Sequence, residues 1–464
     1  MDKETNKRAN ELFYERKSGH DLIGEEEHAR CEAYCSDYMT FLNESKTERE
    51  SVRNCIALAE KRGFLPYKEG MEIKEGSKIY LSNRDKAIML AVIGKKPLSE
   101  GAVIAAAHVD SPRLDLKQVP LYEDGEICYF KTHYYGGIKK YQWLTIPLEL
   151  RGVVALKNGE VIDICIGKDK SEPIFQITDL LPHLAKEQRK KNSAEFVPGE
   201  SLNLMIGTIP DKNDAKKRVK LAVMEILNKK YGIVEEDFLS AEIAAVPAYE
   251  VREVGLDKSL IAGYGHDDRV CAYAELAAIL DIDTPERTAV CILADKEEIG
   301  SEGVSGMKSR AFERFMGDLC DAQGVKLSHC FAKSFCISAD VCNAFDPNYP
   351  EVSEIQNAAK INYGIGICKY TGHGGKSDTN DASAEVVAHL RRVFDKNDVI
   401  WQTAELGKVD QGGGGTVAKY MSQRDIDTID AGVPVLSMHS PYETVSKLDC
   451  YMTYKGIKAL YSEK

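Results

Sequence analysis

Metal-binding side chains stand at or just past the ends of short extended runs at five places in this chain: His108 with Asp110, Asp267 with Asp268, Glu297 with Glu298, Asp340, and His439. Two imidazoles and three of these six carboxylates can hold two divalent ions, one carboxylate bridging, and leave a position open for water. The chemistry open to such a set is metal-assisted hydrolysis. Singly, each member has a plainer account. A buried histidine needs only one hydrogen-bond partner, and a Glu-Glu pair in a loop is ordinarily solvated. Their conjunction is what points to metal.

Residues so far apart in sequence can meet only in a fold that gathers distant segments at one rim. Val103-Ile104-Ala105-Ala106-Ala107, Ala289-Val290-Cys291-Ile292-Leu293-Ala294, Phe335-Cys336-Ile337-Ser338 and Val433-Pro434-Val435-Leu436-Ser437 are of strand length. They are too uniformly apolar for a one-sided sheet, which predicts buried strands of an α/β sheet. In open α/β sheets ligands gather outside the carboxyl ends of the strands, and His108, Glu297 with Glu298, Asp340 and His439 each follow one of these runs. Asp110, two residues past His108, projects to the same side of extended backbone. There it can hold the second imidazole nitrogen and fix the tautomer. Adjacent Glu297 and Glu298 suit a division of labour, one ligating and the other taking a proton from a bound water; spacing does not say which. His266-Asp267-Asp268 likewise offers two carboxylates for a bridge and a third candidate in His266. The Ala- and Leu-rich stretch 268–280 predicts a helix with Asp267 at its N-terminus, where the dipole favours negative charge.

Ala107-His108-Val109-Asp110-Ser111-Pro112-Arg113, Asp267-Asp268, Glu297-Glu298-Ile299-Gly300-Ser301, Ser338-Ala339-Asp340 and Met438-His439-Ser440 together make the chain resemble the aspartyl aminopeptidase family over essentially its whole length. The resemblance implies an exopeptidase with two divalent ions per subunit, Zn2+ or else Co2+ or Mn2+, acting on peptides with a free N-terminus. It implies His108 and Asp340 on one ion, Glu298 and His439 on the other, Asp267 bridging, Glu297 as general base and Asp110 as the orienter of His108. It also implies a preference for acidic first residues, Asp or Glu, whose side chain needs a cation. Lys376 or His373, in Thr371-Gly372-His373-Gly374-Gly375-Lys376-Ser377, would provide it, although the Gln-Arg-Tyr step that follows this lysine in better-known members is missing.

Gly412-Gly413-Gly414-Gly415-Thr416 lacks the Gly-Lys-Ser/Thr element of a phosphate loop. Glycine's conformational freedom suits backbone brought close to a substrate. The family carries a glycine-containing substrate loop after an Asp here, so Asp410, Gly413 and Gly414 are candidate substrate contacts by resemblance. Pro182-His183-Leu184-Ala185 matches a family step whose histidine reaches from a dimerisation domain into the partner's active site, where it would donate to the carbonyl oxygen.

At 464 residues and 43% hydrophobic the chain can bury a large core and divides by length into two domains. The expected architecture is a catalytic α/β/α sandwich with a mostly parallel central sheet, from residues 1–113 and 250–464, and an inserted β-rich domain over 114–249. That insert holds none of the metal set. Its runs 144–150, 152–156 and 161–166 are separated by turn-like Arg151-Gly152 and Lys157-Asn158-Gly159, a β-meander pattern. The resemblance makes it a dimerisation domain, and the assembly a homodimer built into a larger oligomer, a dodecamer.

A net charge of −12 opposes nucleic-acid binding, and the basic runs 186–191 and 216–220 read as solvated helix surface. No apolar stretch approaches the roughly 18 uncharged residues of a membrane helix, and residues 1–8 show no signal-peptide core. The expectation is a cytoplasmic protein. Thirteen cysteines, scattered without a Cys-x-x-Cys pair, suit buried reduced thiols. Two other readings share these features. A related two-metal deacylase or carboxypeptidase is separable with N-terminally blocked peptides. An oligomeric shell or cargo assembly with a vestigial metal site is the other, and the complete ligand set argues against it.

Overall fold

The computed structural model describes residue 8, residues 11–212 and residues 216–464. Apart from Arg8, the N-terminal octad read above lies outside the described residues. A nine-stranded sheet runs, edge to edge, through Leu65–Pro66, Lys78–Asn83, Ala87–Val92, Ala289–Ala294, Val103–His108, Phe335–Ser338, Asp427–Gly432, Ile365–Cys368 and Trp401–Thr403. Its centre, from Ala289–Ala294 to Asp427–Gly432, is parallel, and antiparallel pairings flank that centre on both sides.

Every residue of Ala87–Val92, Val103–His108 and Ala289–Ala294 is buried, as their uniformly apolar composition requires. Side chains alternate between two helical layers. Ile88, Leu90, Ala105 and Leu293 face the helices Glu25–Glu44, Glu48–Lys61, His266–Leu280, Ala384–Lys396 and Lys447–Tyr461. Met89, Ala91, Ile104 and Ile292 face Ala311–Asp321 and Leu327–Phe331. Full burial of each large aliphatic side chain stabilises by about 1.5–3 kcal/mol. All thirteen cysteines are free, and all but Cys165 are buried.

Local signals place the helix starts. Thr47 accepts from the Glu50 amide while Glu50 accepts from the Thr47 amide, a reciprocal cap. Ser383 and Ser446 cap Ala384–Lys396 and Lys447–Tyr461. The last helix begins at Lys447, because Glu443–Ser446 pairs as a strand.

The run 433–437, expected as a buried strand of the α/β sheet, does not join the large sheet. Pro434–Leu436 pairs with Glu443–Ser446 and Cys342–Asn343 in a separate five-stranded sheet, and Asp427–Gly432 takes the central position. Gly432 lies against backbone: a Cβ there would come within 2.0 Å of the Asp340 carbonyl oxygen. Pro434 then has no N–H with which to continue the central ladder. The polar residues Asp427, Thr428 and Asp430 hid the true strand, since Asp430 is only 2% exposed and no periodicity announces a buried carboxylate.

A third, wholly antiparallel sheet forms a separate domain from Val161–Ile166, Leu148–Ala155, Ala241–Pro247, Arg113–Asp124, Ile127–Tyr135 and Leu204–Gly207. Its own core contains Leu114, Phe130, Trp143, Leu150 and Ile243, with Val219 and Val223 from the helix Arg218–Tyr231. Asn158-Gly159 turns as expected, with Gly159 at φ +89°. Arg151-Gly152 does not turn. The strand Leu148–Ala155 runs straight through it, and Gly152 is needed because Glu242 carbonyl oxygen lies 2.0 Å from where a Cβ would stand.

Candidate active site

His108 ends its strand with Nδ1 3.0 Å from the Asp110 carbonyl oxygen, and His439 has Nδ1 2.8 Å from the Gly137 carbonyl oxygen. A carbonyl only accepts, so each Nδ1 carries a proton, which leaves each Nε2 as the atom that would ligate an ion. Both Nε2 atoms face Asp267: His108 Nε2 lies 3.3 Å from Oδ1 and His439 Nε2 lies 3.1 Å from Oδ2. Asp340 Oδ1 is 3.8 Å from His108 Nε2, and Glu298 Oε2 is 3.4 Å from His439 Nε2. Two clusters result, His108–Asp267–Asp340 and Asp267–Glu298–His439, each with its ligand atoms within 4.8 Å of one another and with Asp267 common to both.

The electrostatics of this donor set call for cations. Burial, and then the carboxylates around them, push Asp340 and Glu298 well above the usual carboxylate range. Burial also opposes charge on Asp267, but the two imidazoles outweigh it and hold its carboxyl low. Glu298 Oε1 is buried without a hydrogen-bond partner among the described residues. A divalent ion relieves like-charge crowding of this kind, and mixed His and carboxylate donors are what zinc accepts. The residues present therefore fit metal.

Asp110 touches more than His108. Its carboxylate lies 3.4 Å from His108 Nδ1, and it also accepts from the Glu297 amide at 3.1 Å and the Glu298 amide at 3.2 Å. One buried side chain thus ties the first histidine to the turn that carries both glutamates. Tyr135, from the antiparallel domain, donates to Asp110 Oδ2 at 2.8 Å. The adjoining Gly136 and Gly137 pack against Glu298 and His439. Sequence reasoning missed these three, because their partners are remote in the chain and no motif marks them.

Asp268 turns away from both imidazole Nε2 atoms and accepts from the His108 amide at 3.3 Å. His266 also faces away: its Nδ1 meets the Tyr38 hydroxyl at 2.6 Å, and burial drives its pKa down to about 3. Glu297 belongs to neither cluster; burial, followed by the Asp110 and Asp267 charges, pushes it up to about 7.

The profile of the Aminopeptidase I zinc metalloprotease (M18) family matches residues 41–461. The probable M18 family aminopeptidase 1 of Clostridium acetobutylicum is 47% identical over 459 residues, covering 97% of this chain and 99% of that protein. The chain belongs to the M18 family. It is a zinc metallo-aminopeptidase. The crystal structure of the Thermotoga maritima M18 aminopeptidase superposes with a TM-score of 0.94 at 45% identity, covering 97% of this chain and all of that one. The S. cerevisiae mApe1 dodecamer, at 22% identity and a TM-score of 0.73, covering 91% of this chain and 95% of that one, shares the fold.

In this M18 aminopeptidase the remaining candidates lie outside the two clusters. Lys376 Nζ is 3.1 Å from Asp381 Oδ2 and sits 4.0 Å over the Tyr370 ring. His373 is exposed in the same loop, and its backbone pairs with Ser377. Asp410 is exposed at φ +70°. Gly413 is needed for contact within the protein, since a Cβ there would lie 1.8 Å from the Gly372 carbonyl oxygen; a Cβ on Gly414 would meet only the Leu406 side chain. His183 is exposed in the turn that follows Leu181 and makes no hydrogen bond or ion pair among the described residues.

Proposed function

We propose that this enzyme removes N-terminal residues from peptides at a two-ion centre. His108, Asp340 and Asp267 would hold one ion, Glu298, His439 and Asp267 the other, and Glu297 would serve as general base. The observation that carries this reading is the pair of ligand clusters sharing Asp267. Zn2+ is the ion of the family's description, and Co2+ or Mn2+ suits the same donors. Bound there, the ions supply Lewis-acid polarisation of the scissile carbonyl and a lowered pKa for the attacking water. Glu297 takes that water's proton and returns it to the leaving amine, acting first as general base and then as general acid. Asp110 keeps Glu297 and Glu298 on opposite duties by fixing the backbone amides of both. Family membership favours this over a deacylase, a carboxypeptidase or a vestigial assembly.

The substrate preference we assign is for acidic first residues. Lys369 and Lys376 share the carboxylate of Asp381, and Asp378 of the same segment pairs with Lys419, so three lysines meet two carboxylates where an acidic side chain would be received. The antiparallel domain is assigned to dimerisation, and the dimer to a larger assembly like the dodecamer named for the yeast relative. Leu180, Leu181 and Leu184 flank His183 at 43%, 48% and 67% exposure, an apolar patch suited to cover by a second copy. His183 would then donate to the carbonyl oxygen of a substrate held by the partner. Among the described residues no helix is long and apolar enough to cross a membrane, and with thirteen free cysteines we place the enzyme in the cytoplasm.

A panel of peptides that differ only in the first residue, each with a free and an acetylated N-terminus, tests this reading. Cleavage of free peptides alone, abolished by a chelator and fastest for Asp and Glu, is expected. Cleavage of acetylated peptides would remove the aminopeptidase mechanism, and a preference for apolar first residues would remove the acidic pocket.

A further inference from the structure

We propose that Glu443 is a positioning residue of the metal centre, its carboxylate fixing the backbones of Asp267 and His439 at once. Glu443 opens the strand Glu443–Ser446 and is 1% exposed. Its Oε2 accepts from the Asp267 amide at 3.0 Å and its Oε1 from the His439 amide at 2.7 Å. Among the described residues no lysine, arginine or histidine forms an ion pair with it. Its two buried oxygens are therefore met by those two N–H groups.

Among the described residues both donors would otherwise have no partner. Asp267 stands at the head of His266–Leu280 with φ −79° and ψ 109°, outside helical geometry, and the first amides of a helix have no partner within it. His439 lies past the end of Pro434–Leu436, with φ +64°, and Ser437 with φ +60°. Left-handed backbone at a non-glycine residue is costly and persists only where surroundings hold it. One carboxylate therefore sets the spacing between the shared Asp267 and the imidazole of His439, which are 3.1 Å apart.

The geometry demands two acceptors. Glutamine offers one acceptor and one donor, so one of the two N–H groups would face another N–H. Aspartate keeps two acceptors on a stem one methylene shorter. The consequences are unequal at the two ion sites, because the Asp267–Glu298–His439 site depends on both anchored backbones and the His108–Asp267–Asp340 site on only one. This inference rests on the two-ion reading above.

The test measures zinc affinity, by equilibrium dialysis of the metal-free protein with metal analysis, for the parent enzyme, Glu443→Gln and Glu443→Asp. The parent should bind two ions. Glu443→Gln should keep one ion near parental affinity and bind the second at least tenfold more weakly, with turnover recovering as free zinc is raised. Glu443→Asp should lie between the two. A parent that binds a single ion overturns the two-ion reading and, with it, the basis for Glu443. If the parent binds two, then unaltered affinities in Glu443→Gln, an equal loss of both ions from a variant whose near-UV circular dichroism is parental, or tighter second-ion binding by Gln than by Asp each overturns the role of Glu443 alone. Should Glu443→Gln fail to fold, Glu443→Asp decides by itself, since parental affinity at both sites then contradicts a carboxylate whose reach matters.

Discussion

At the scale of single residues, the centre separates two glutamates that chemistry alone makes equivalent. Glu298 reaches the His439 imidazole, whereas Glu297 leaves the same turn without joining either ligand cluster. Glu297→Gln should therefore keep two ions per chain and lose about two to four orders of magnitude in turnover, because an amide keeps the shape and cannot accept a proton. Metal analysis alongside kcat checks this; a metal-replete variant with parental turnover removes Glu297 as base. The choice between Asp267 and Asp268 was open in the sequence for a similar reason. Both are carboxylates beside one helix start, and only their directions differ: Asp267 faces the two imidazoles and Asp268 the His108 amide.

At the scale of elements, the antiparallel domain reaches into the site through one strand end. Tyr135 closes Ile127–Tyr135 and donates to Asp110, with the Arg113 guanidinium 4.1 Å from its ring centre and Arg113 in turn paired with Glu48 at 3.0 Å. Tyr135→Phe keeps the packing and removes a hydrogen bond to a charged acceptor, ordinarily worth about 1.5–3 kcal/mol. With Asp110 freer to move, the Glu297 and Glu298 amides lose a fixed anchor. The expected outcome is roughly a tenfold fall in kcat, a share of that energy, with both ions retained and KM little changed. Loss of metal with parental kcat per loaded site would instead assign Tyr135 to ligand retention.

At the scale of the molecule, assembly and pH are the levers. His183→Ala should lower turnover about a hundredfold while sparing metal, the cost of one oxyanion donor. Mixing it with Glu297→Gln should restore activity once subunits exchange, since a mixed dimer has one site with its own base and its partner's histidine. No recovery despite demonstrated exchange contradicts the cross-subunit role.

The metal-free enzyme should also lose stability as pH rises. Burial pushes Glu297 up to about 7 and Glu443 and Asp449 up to about 8, and the carboxylates around it raise His439 to about 10 against its own burial. Each has a folded pKa above its unfolded value. Its stabilisation is complete below the unfolded pKa and is lost as pH climbs through the folded one. His266, at about 3, acts the other way below its ordinary pKa, but it is one group against four. The melting temperature of chelated protein should therefore fall between pH 6 and pH 8. Zinc should lessen that fall, because it binds the deprotonated ligands, while Asp449, held by the Asn362 and Gly364 amides, keeps its share. A rise in the chelated sample would contradict the arrangement.

The sequence by itself determined which side chains could meet a metal, that they follow strand-length apolar runs, and where helices start, as at Thr47 and Ser383. These signals are local: the side-chain types, the run of apolar residues and the caps all lie within a few positions of each other. Tertiary structure alone decided that Asp427–Gly432 rather than residues 433–437 fills the central sheet, that Gly152 continues a strand, and that Asp110 grips the amides of Glu297 and Glu298. It also decided that Tyr135, Gly137 and Glu443 serve the site. Each of these rests on a hydrogen bond or a close backbone approach between segments distant in the chain, and no periodicity within either segment encodes the other's position.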